Sequence, residues 1–188
     1  MKKYKILKNE EMKVMKINLV NHSRHFLYRI QAIRDFGNVK KGDLGGFIES
    51  EKNLSQRGNC WIFKNAQVFG NAKVIDNAIV SDNAQVFGNA KISDNAIVSD
   101  NTMVYGSAVV FENANIKKRS VVRDGAFIYG NAKVDGNAIV KGDSKVKDYA
   151  LVDEDAMVYG DTIIEEKALV CGHVRVCCGK IGGNSYIS

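Results

Sequence analysis

The chain has 188 residues, 45% of them hydrophobic, with a formal net charge of +6, four cysteines and no proline. That length accommodates one domain, or one with a small cap, and no apolar run reaches the ~20 residues of a membrane span. Met1-Lys2-Lys3 opens a charged rather than an apolar segment, so neither a secretory leader nor a membrane contact is expected, and the protein is expected in the cytoplasm.

The basic charge sits at one end. Residues 1–64 hold 14 Lys and Arg against 6 Asp and Glu, a surplus of +8, whereas residues 65–188 hold 13 against 15, a balance of −2. A basic module carrying Arg24, Arg29, Arg34, Lys40 and Lys41 can meet nucleic acid or an acidic protein surface. Its charges are scattered and match no nucleic-acid motif, which favours a solvated cap.

Three segments follow from the pattern: residues 1–58 as an N-terminal β cap, 59–178 as a repeat region, and 179–188 as a tail. Residues 1–20 mix Lys with Ile, Leu, Val and Met and read as strand or short helix, with strand favoured. In residues 26–36, Tyr28, Ile30 and Ala32 fall on one side at strand period. His22 and His25, near Arg24 and Arg29, are the clustered imidazoles; a catalytic or ligand role is one reading, and exposed loop residues beside the first hairpin is the favoured one. Gly37-Asn38 turns the chain. Gly42-Asp43-Leu44-Gly45-Gly46 lacks the Gly-Lys-Ser/Thr ending of a phosphate loop and reads as a tight turn. From Leu44 through Ile48 and Leu54 to Trp61 an irregular first coil is expected, with Trp61 at the junction of cap and repeat.

From Asn65 to Cys178 the sequence repeats every six residues through nineteen units without an insertion. Position 4 is Val or Ile in all nineteen, and position 2 is Ala in fourteen. Two inward positions spaced by two describe a short strand, and the Gly-Asn and Asp-Asn pairs between strands are corner signals. Residues 65–82 and 83–100 differ only at Val74/Ile92 and Ile75/Ser93, so the full repeat is eighteen residues, three hexads per coil. This is an all-β fold, a triangular parallel β-helix of about six coils, roughly 30 Å tall at ~4.8 Å per coil.

The spacing of Val68 to Ala72 and of Val86 to Ala90 resembles the hexapeptide-repeat proteins that form left-handed β-helices. The run GDLGGFIESEKNLSQRGNCWIF, followed by NAxVxG units, is similar to a bacterial and phage group labelled polymer-forming or putative acyltransferase. The left-handed winding, and trimers as a common assembly, are what the resemblance implies. It also implies an acetyltransferase alternative, in which a His general base at a subunit interface serves the chemistry. Here the coils carry no insertion, and the only histidine in the repeats is His173.

Sorting hexads by threes gives three faces. The first presents Phe69, Phe87, Tyr105 and Tyr159 at position 5, with Met103, Val121, Ile139 and Met157 at position 3. The second carries Val109, Phe111, Phe127, Tyr129 and Ile163, while the third is mixed. Stacked like residues on a solenoid can be structural ladders, but a contiguous exposed apolar strip over two adjacent faces more often marks an interface. Asp76, Asp82, Asp94 and Asp100 lie at corners, where hydrogen bonding is expected rather than calcium, which uses a different nonapeptide repeat. Cys60 continues the inward small row. Cys171, His173, Cys177 and Cys178 are a weak candidate zinc set, since their spacing matches no zinc pattern.

The resulting expectation is a non-catalytic scaffold with no cofactor. It would bind a protein partner or self-assemble as a dimer or trimer. The resemblance to phage proteins adds an inhibitor of a host defence enzyme as one form of that role. The alternatives are acyl transfer and nucleic-acid binding through residues 1–64.

Overall fold

The computed structural model describes residues 2–8, 13–17 and 23–188. His22, named above, lies outside the described residues. Strands β1 (Tyr4–Ile6), β2 (Lys13–Ile17), β3 (Arg24–Ala32), β4 (Leu44–Ile48) and β5 (Trp61–Ile62) lead into two-residue strands that recur every six residues from Gln67–Val68 onward. They build three parallel sheets, so the chain is an all-β parallel solenoid. Each strand pairs with the one eighteen residues on: Gln67 with Gln85, Lys91 with Val109, Ile97 with Asn115.

The hexad explains this arrangement. Positions 2 and 4 point inward, and from Ala66 to Val170 the Ala and Val/Ile rows are fully buried in one continuous core. A side chain of that size contributes about 1.5–3 kcal/mol when buried, but a two-residue strand holds only if coils stack above and below it. The corners differ from the sequence reading in one respect. The left-handed residue is position 6, as at Asp76 (φ 58°), Asp82 (φ 63°) and Gly70 (φ 66°), and not the Asn that follows. That Asn runs up the outside instead: Asn71 Nδ2 donates to Asn89 Oδ1 at 3.1 Å and Asn83 Nδ2 to Asn101 Oδ1 at 3.2 Å.

The solenoid is longer than six coils. β4 pairs in parallel with Gln67–Val68, Leu54 bridges Val74, and β5 pairs with Ile79–Val80, so residues 44–62 complete a first coil. At the other end the tail continues the prism: Lys180–Ile181 pairs with Ile163–Ile164, and Tyr186–Ile187 with Leu169–Val170. One corner residue is missing there, so the register step falls from eighteen to seventeen. About eight coils result, spanning about 34 Å from first to last at ~4.8 Å per step.

Gly45 and Gly46 form part of strand β4, and the turn comes before them at Lys41-Gly42. A Cβ on Gly45 would lie 2.6 Å from Ile30 and Trp61, and one on Gly46 would lie 2.4 Å from the Ala66 carbonyl. The pair therefore serves close packing between cap and first coil rather than a change of direction. Gly37-Asn38 does turn the chain, with Phe36 and Val39 exchanging both backbone hydrogen bonds at 3.0 and 2.9 Å.

β3 closes the lower end by pairing antiparallel with β4, while β1 and β2 both pair antiparallel with β3. Trp61 fills the junction, edge-on to Tyr4 at 6.0 Å and to Phe36 at 5.3 Å. The register shifts between Arg29 and Gln31. Ile30 and Ala32 are buried as expected, but Tyr28 is only half-buried and Leu27 is fully buried in its place. The shift turns the first half of β3 towards a different surface, the outside of the first face.

Candidate functional site

The first face divides into a covered and an uncovered part. Phe69 and Phe87, expected on an exposed strip, are 1% and 4% exposed. They pack with Leu27 and Phe47 in a small second core beneath the arm formed by β2 and β3. The rings form a ladder, Phe69 to Phe87 at 5.0 Å and Phe87 to Tyr105 at 4.8 Å, each nearly parallel. This correction has a local cause: the aromatic column is the surface onto which β3 turns.

Above the arm the position-3 residues stand in register, Met103 beside Val121, Val121 beside Ile139, and Ile139 beside Met157. All four are half-buried. Tyr159 lies at the upper end of the position-5 column, with the Lys141 ammonium 5.4 Å from its ring centre.

The second face carries a shorter patch. Val109 and Phe127 are register partners, Phe111 and Tyr129 stack at 4.9 Å, and Phe127 is 39% exposed. Lys91 borders the patch below, and Lys145 separates it from Ile163 above. On the third face Asp135 is held between Lys117 Nζ at 3.1 Å and Lys118 Nζ at 2.9 Å. Its carboxyl is costly to bury, yet these bonds hold it below the usual range.

The basic module is partly committed to structure. Arg29 donates to the Gly45 carbonyl at 2.9 Å, the Lys64 carbonyl at 3.2 Å and Asn65 Oδ1 at 3.3 Å, and lies over the Phe47 ring at 4.4 Å. Arg34 is half-buried, and Lys40 pairs with Asp35 at 3.3 Å. The side chains of Arg24 and Lys41 are exposed.

His25 is the residue that sequence reasoning placed least well. Its side chain is 15% exposed, with Nδ1 2.9 Å from Glu49 Oε1 and Nε2 2.7 Å from Ser23 Oγ. Glu49 Oε2 accepts from the Gly70 N–H at 2.7 Å, and the Phe69 ring lies 5.1 Å from the imidazole. The order hydroxyl, imidazole, carboxylate is that of an activated nucleophile, whereas no such set was assembled from the sequence. Ser23, just before β3, and His25 within it are spaced i, i+2, which the sequence does contain. Glu49 joins them only because β3 pairs back onto β4.

The weak zinc set is not assembled. Cys171 is buried while Cys177 and Cys178 are exposed, and His173 is 88% exposed and faces Asp155 at 3.3 Å. Among the described residues no three His, Cys, Asp or Glu side chains converge as metal ligands. The corner carboxylates instead accept backbone N–H groups, as Asp94 does from Glu112 at 3.2 Å. Among the described residues no helix is long and apolar enough to cross a membrane.

Comparison with known proteins agrees with this geometry. A family model described as YdcK beta solenoid repeat matches residues 90–106. A curated protein of Escherichia coli (strain K12), named "Uncharacterized acetyltransferase YdcK", is 37% identical over 83 residues. That stretch is 43% of this chain and 25% of the relative, so the chain spans about a quarter of the relative's length. Both similarities fit the hexapeptide-repeat β-helix group, acyltransferase-like in name.

Proposed function

We propose that this solenoid is a non-catalytic scaffold that meets a protein surface, in the first place a second copy of itself. The contact uses the Met103-Val121-Ile139-Met157 column and the patch around Phe111, Phe127 and Tyr129. One observation carries the reading. Leu27 and Phe47 bury the aromatic ladder as far as Phe87, while the apolar column continues upward in register and, among the described residues, packs only on its own stacked neighbours. Closed cyclic symmetry, as a dimer or trimer, would bury such a strip, and apolar strips of this kind mark interfaces. A host protein, such as a defence enzyme inhibited by a phage product, is the other occupant, and that version draws on the resemblance to phage proteins alone.

The test is the absolute mass in solution by light scattering after size exclusion, for the wild type and for Tyr105→Glu and Phe127→Glu. A dimer or trimer that falls to monomer in the variants supports self-association. A wild-type monomer at high micromolar concentration sinks it and turns the strip towards a foreign partner.

A second reading, acyl transfer, is favoured by the alignment of Ser23, His25 and Glu49 rather than by His173. With the proton of His25 on Nδ1, Ser23 Oγ would attack an acyl carbon as its own proton passes to Nε2. Incubation with p-nitrophenyl acetate should then release nitrophenolate and leave an acetyl group on Ser23, detectable by peptide mass and lost in His25→Ala. Release no faster than in buffer, with Ser23 unmodified, ends this reading.

A further inference from the structure

The position-6 N–H of a coil points towards the position-6 side chain of the coil before it, and in nine of the nineteen hexads that side chain is a carboxylate. Along the corner that follows the second face, Asp94 N–H donates to Asp76 at 3.4 Å, Glu112 N–H to Asp94 at 3.2 Å, and Gly130 N–H to Glu112 at 2.7 Å. Along the corner that follows the third face, Lys118 N–H donates to Asp100 at 2.9 Å and Gly172 N–H to Glu154 at 2.7 Å. The molecule thus shows what fits these donors: an oxyanion.

The corner between the first and second faces is different. Glu49 answers Gly70 N–H at 2.7 Å, but positions 70, 88 and 106 are then all glycine. Among the described residues no protein acceptor answers the N–H of Gly88, Gly106 or Asp124. The space that a side chain would fill lies directly over each donor. A Cβ on Gly70 would be 3.3 Å from Gly88 N, and one on Gly88 would be 3.0 Å from Gly106 N.

Beside this corner runs a groove of about 520 Å³ whose wall includes Gly70, Asn71, Asn89 and the lysines Lys52, Lys73 and Lys91. Among the described residues none of these three ammonium groups has an ion-pair partner. The unanswered Gly88 N–H opens onto Gly70 in the groove wall, and three cations with this donor are complementary to a multiply charged oxyanion. A single carboxylate would leave most of that positive charge unanswered.

We infer that the groove between the first and second faces binds a phosphate group, held by the Gly88 N–H donor and by Lys52, Lys73 and Lys91. The site is independent of the apolar column and stands whether or not the chain self-associates.

The test follows the Gly88 amide resonance of the full chain during titration with inorganic phosphate, with sodium chloride at matched ionic strength as control. Saturable downfield shifts are expected with phosphate and not with chloride. Lys73→Gln with Lys91→Gln should weaken binding at least fivefold. Gly70→Asp should abolish it, because the new carboxylate supplies Gly88 with an acceptor from within the chain. Asp is compatible with the φ of 66° at Gly70, since Asp76 and Asp82 sit at 58° and 63°. A melting curve checks that each variant folds, and the lysine pair keeps the test decisive if Gly70→Asp does not. Adenosine monophosphate serves as a second probe: binding tenfold tighter than phosphate assigns the site to a phosphate ester, and equal binding assigns it to the free anion. Shifts that stay linear, or that persist unchanged in both variants, overturn the proposal.

Discussion

The rings of Phe87 and Tyr105 stack 4.8 Å apart with planes 3° from parallel, and among the described residues burial falls off from one to the other. Phe87 is 4% exposed, while Tyr105 is half-buried and only borders the small core of Leu27, Phe47, Phe69 and Phe87. One ladder therefore serves as an internal seam below and as an outward surface above.

Leu27 is the side chain that closes this seam. Leu27→Ala should cost about 2–5 kcal/mol of arm docking and leave the prism standing, because the coils stack on one another and not on the arm. Hydrogen exchange separates the two effects: amides of residues 24–28 should lose protection while those of residues 85–170 keep it. Unchanged protection in the arm would mean that Leu27 does not hold it.

Lys3 is fully buried and, among the described residues, has no carboxylate partner. Its Nζ donates to the carbonyls of Cys60 at 2.8 Å, Gly58 at 3.2 Å and Arg57 at 3.3 Å, and lies 3.3 Å from Cys60 Sγ. Burial lowers its pKa, and the neighbouring thiol opposes that shift only in part. Lys3→Met keeps the packing volume but leaves three carbonyls short of a donor, at a cost of about 1–3 kcal/mol. Urea unfolding measures this. A variant as stable as the wild type would show that water replaces the ammonium without loss.

At the corners, backbone conformation and carboxylate can be separated at one residue. Asp94 has φ 56° and accepts the Glu112 N–H at 3.2 Å. Asp94→Ala and Asp94→Gly both lose the acceptor, but only Ala retains a Cβ in a left-handed conformation. Asp94→Ala should therefore be the less stable variant by about 1 kcal/mol. Equal melting temperatures would remove the conformational part of this account.

The last coil should be sensitive to acid. Glu165 bonds Lys180 Nζ at 2.5 Å and Lys147 Nζ at 3.0 Å, and these bonds, Lys180 first, hold its carboxyl below the usual range. A carboxyl with a depressed folded-state pKa contributes stability that is complete above its unfolded value. That contribution is lost as pH falls through the folded value. Lowering the pH from 7 to 3 should thus reduce the melting temperature of the wild type more than that of Glu165→Gln. Parallel losses in the two proteins would exclude this carboxyl as the acid-sensitive contact.

The sequence by itself determined the prism. A period of six with inward positions 2 and 4, doubled by an eighteen-residue identity, admits one stacking register, and Val68 to Val176 fall in it. It determined the turn at Gly37-Asn38 and the place of Trp61 for the same reason: each is a local preference or a lone large side chain with one site large enough for it. What it left undecided is what lies on the prism. Phe69 and Phe87 read as outward from their position in the hexad, and they are, but only the register shift in β3 brings Leu27 over them. His25, Ser23 and Glu49 meet through a strand pairing between segments 24 residues apart, and Lys3 reaches Cys60 across 57. The tail broke the hexad by a single residue, yet stacking on Ile163 and Leu169 carried it into another coil. Periodicity constrains a residue relative to its neighbours in the chain. Cover, capping and ion pairing are contacts between distant segments, and their free energy exists only once the fold has brought those segments together.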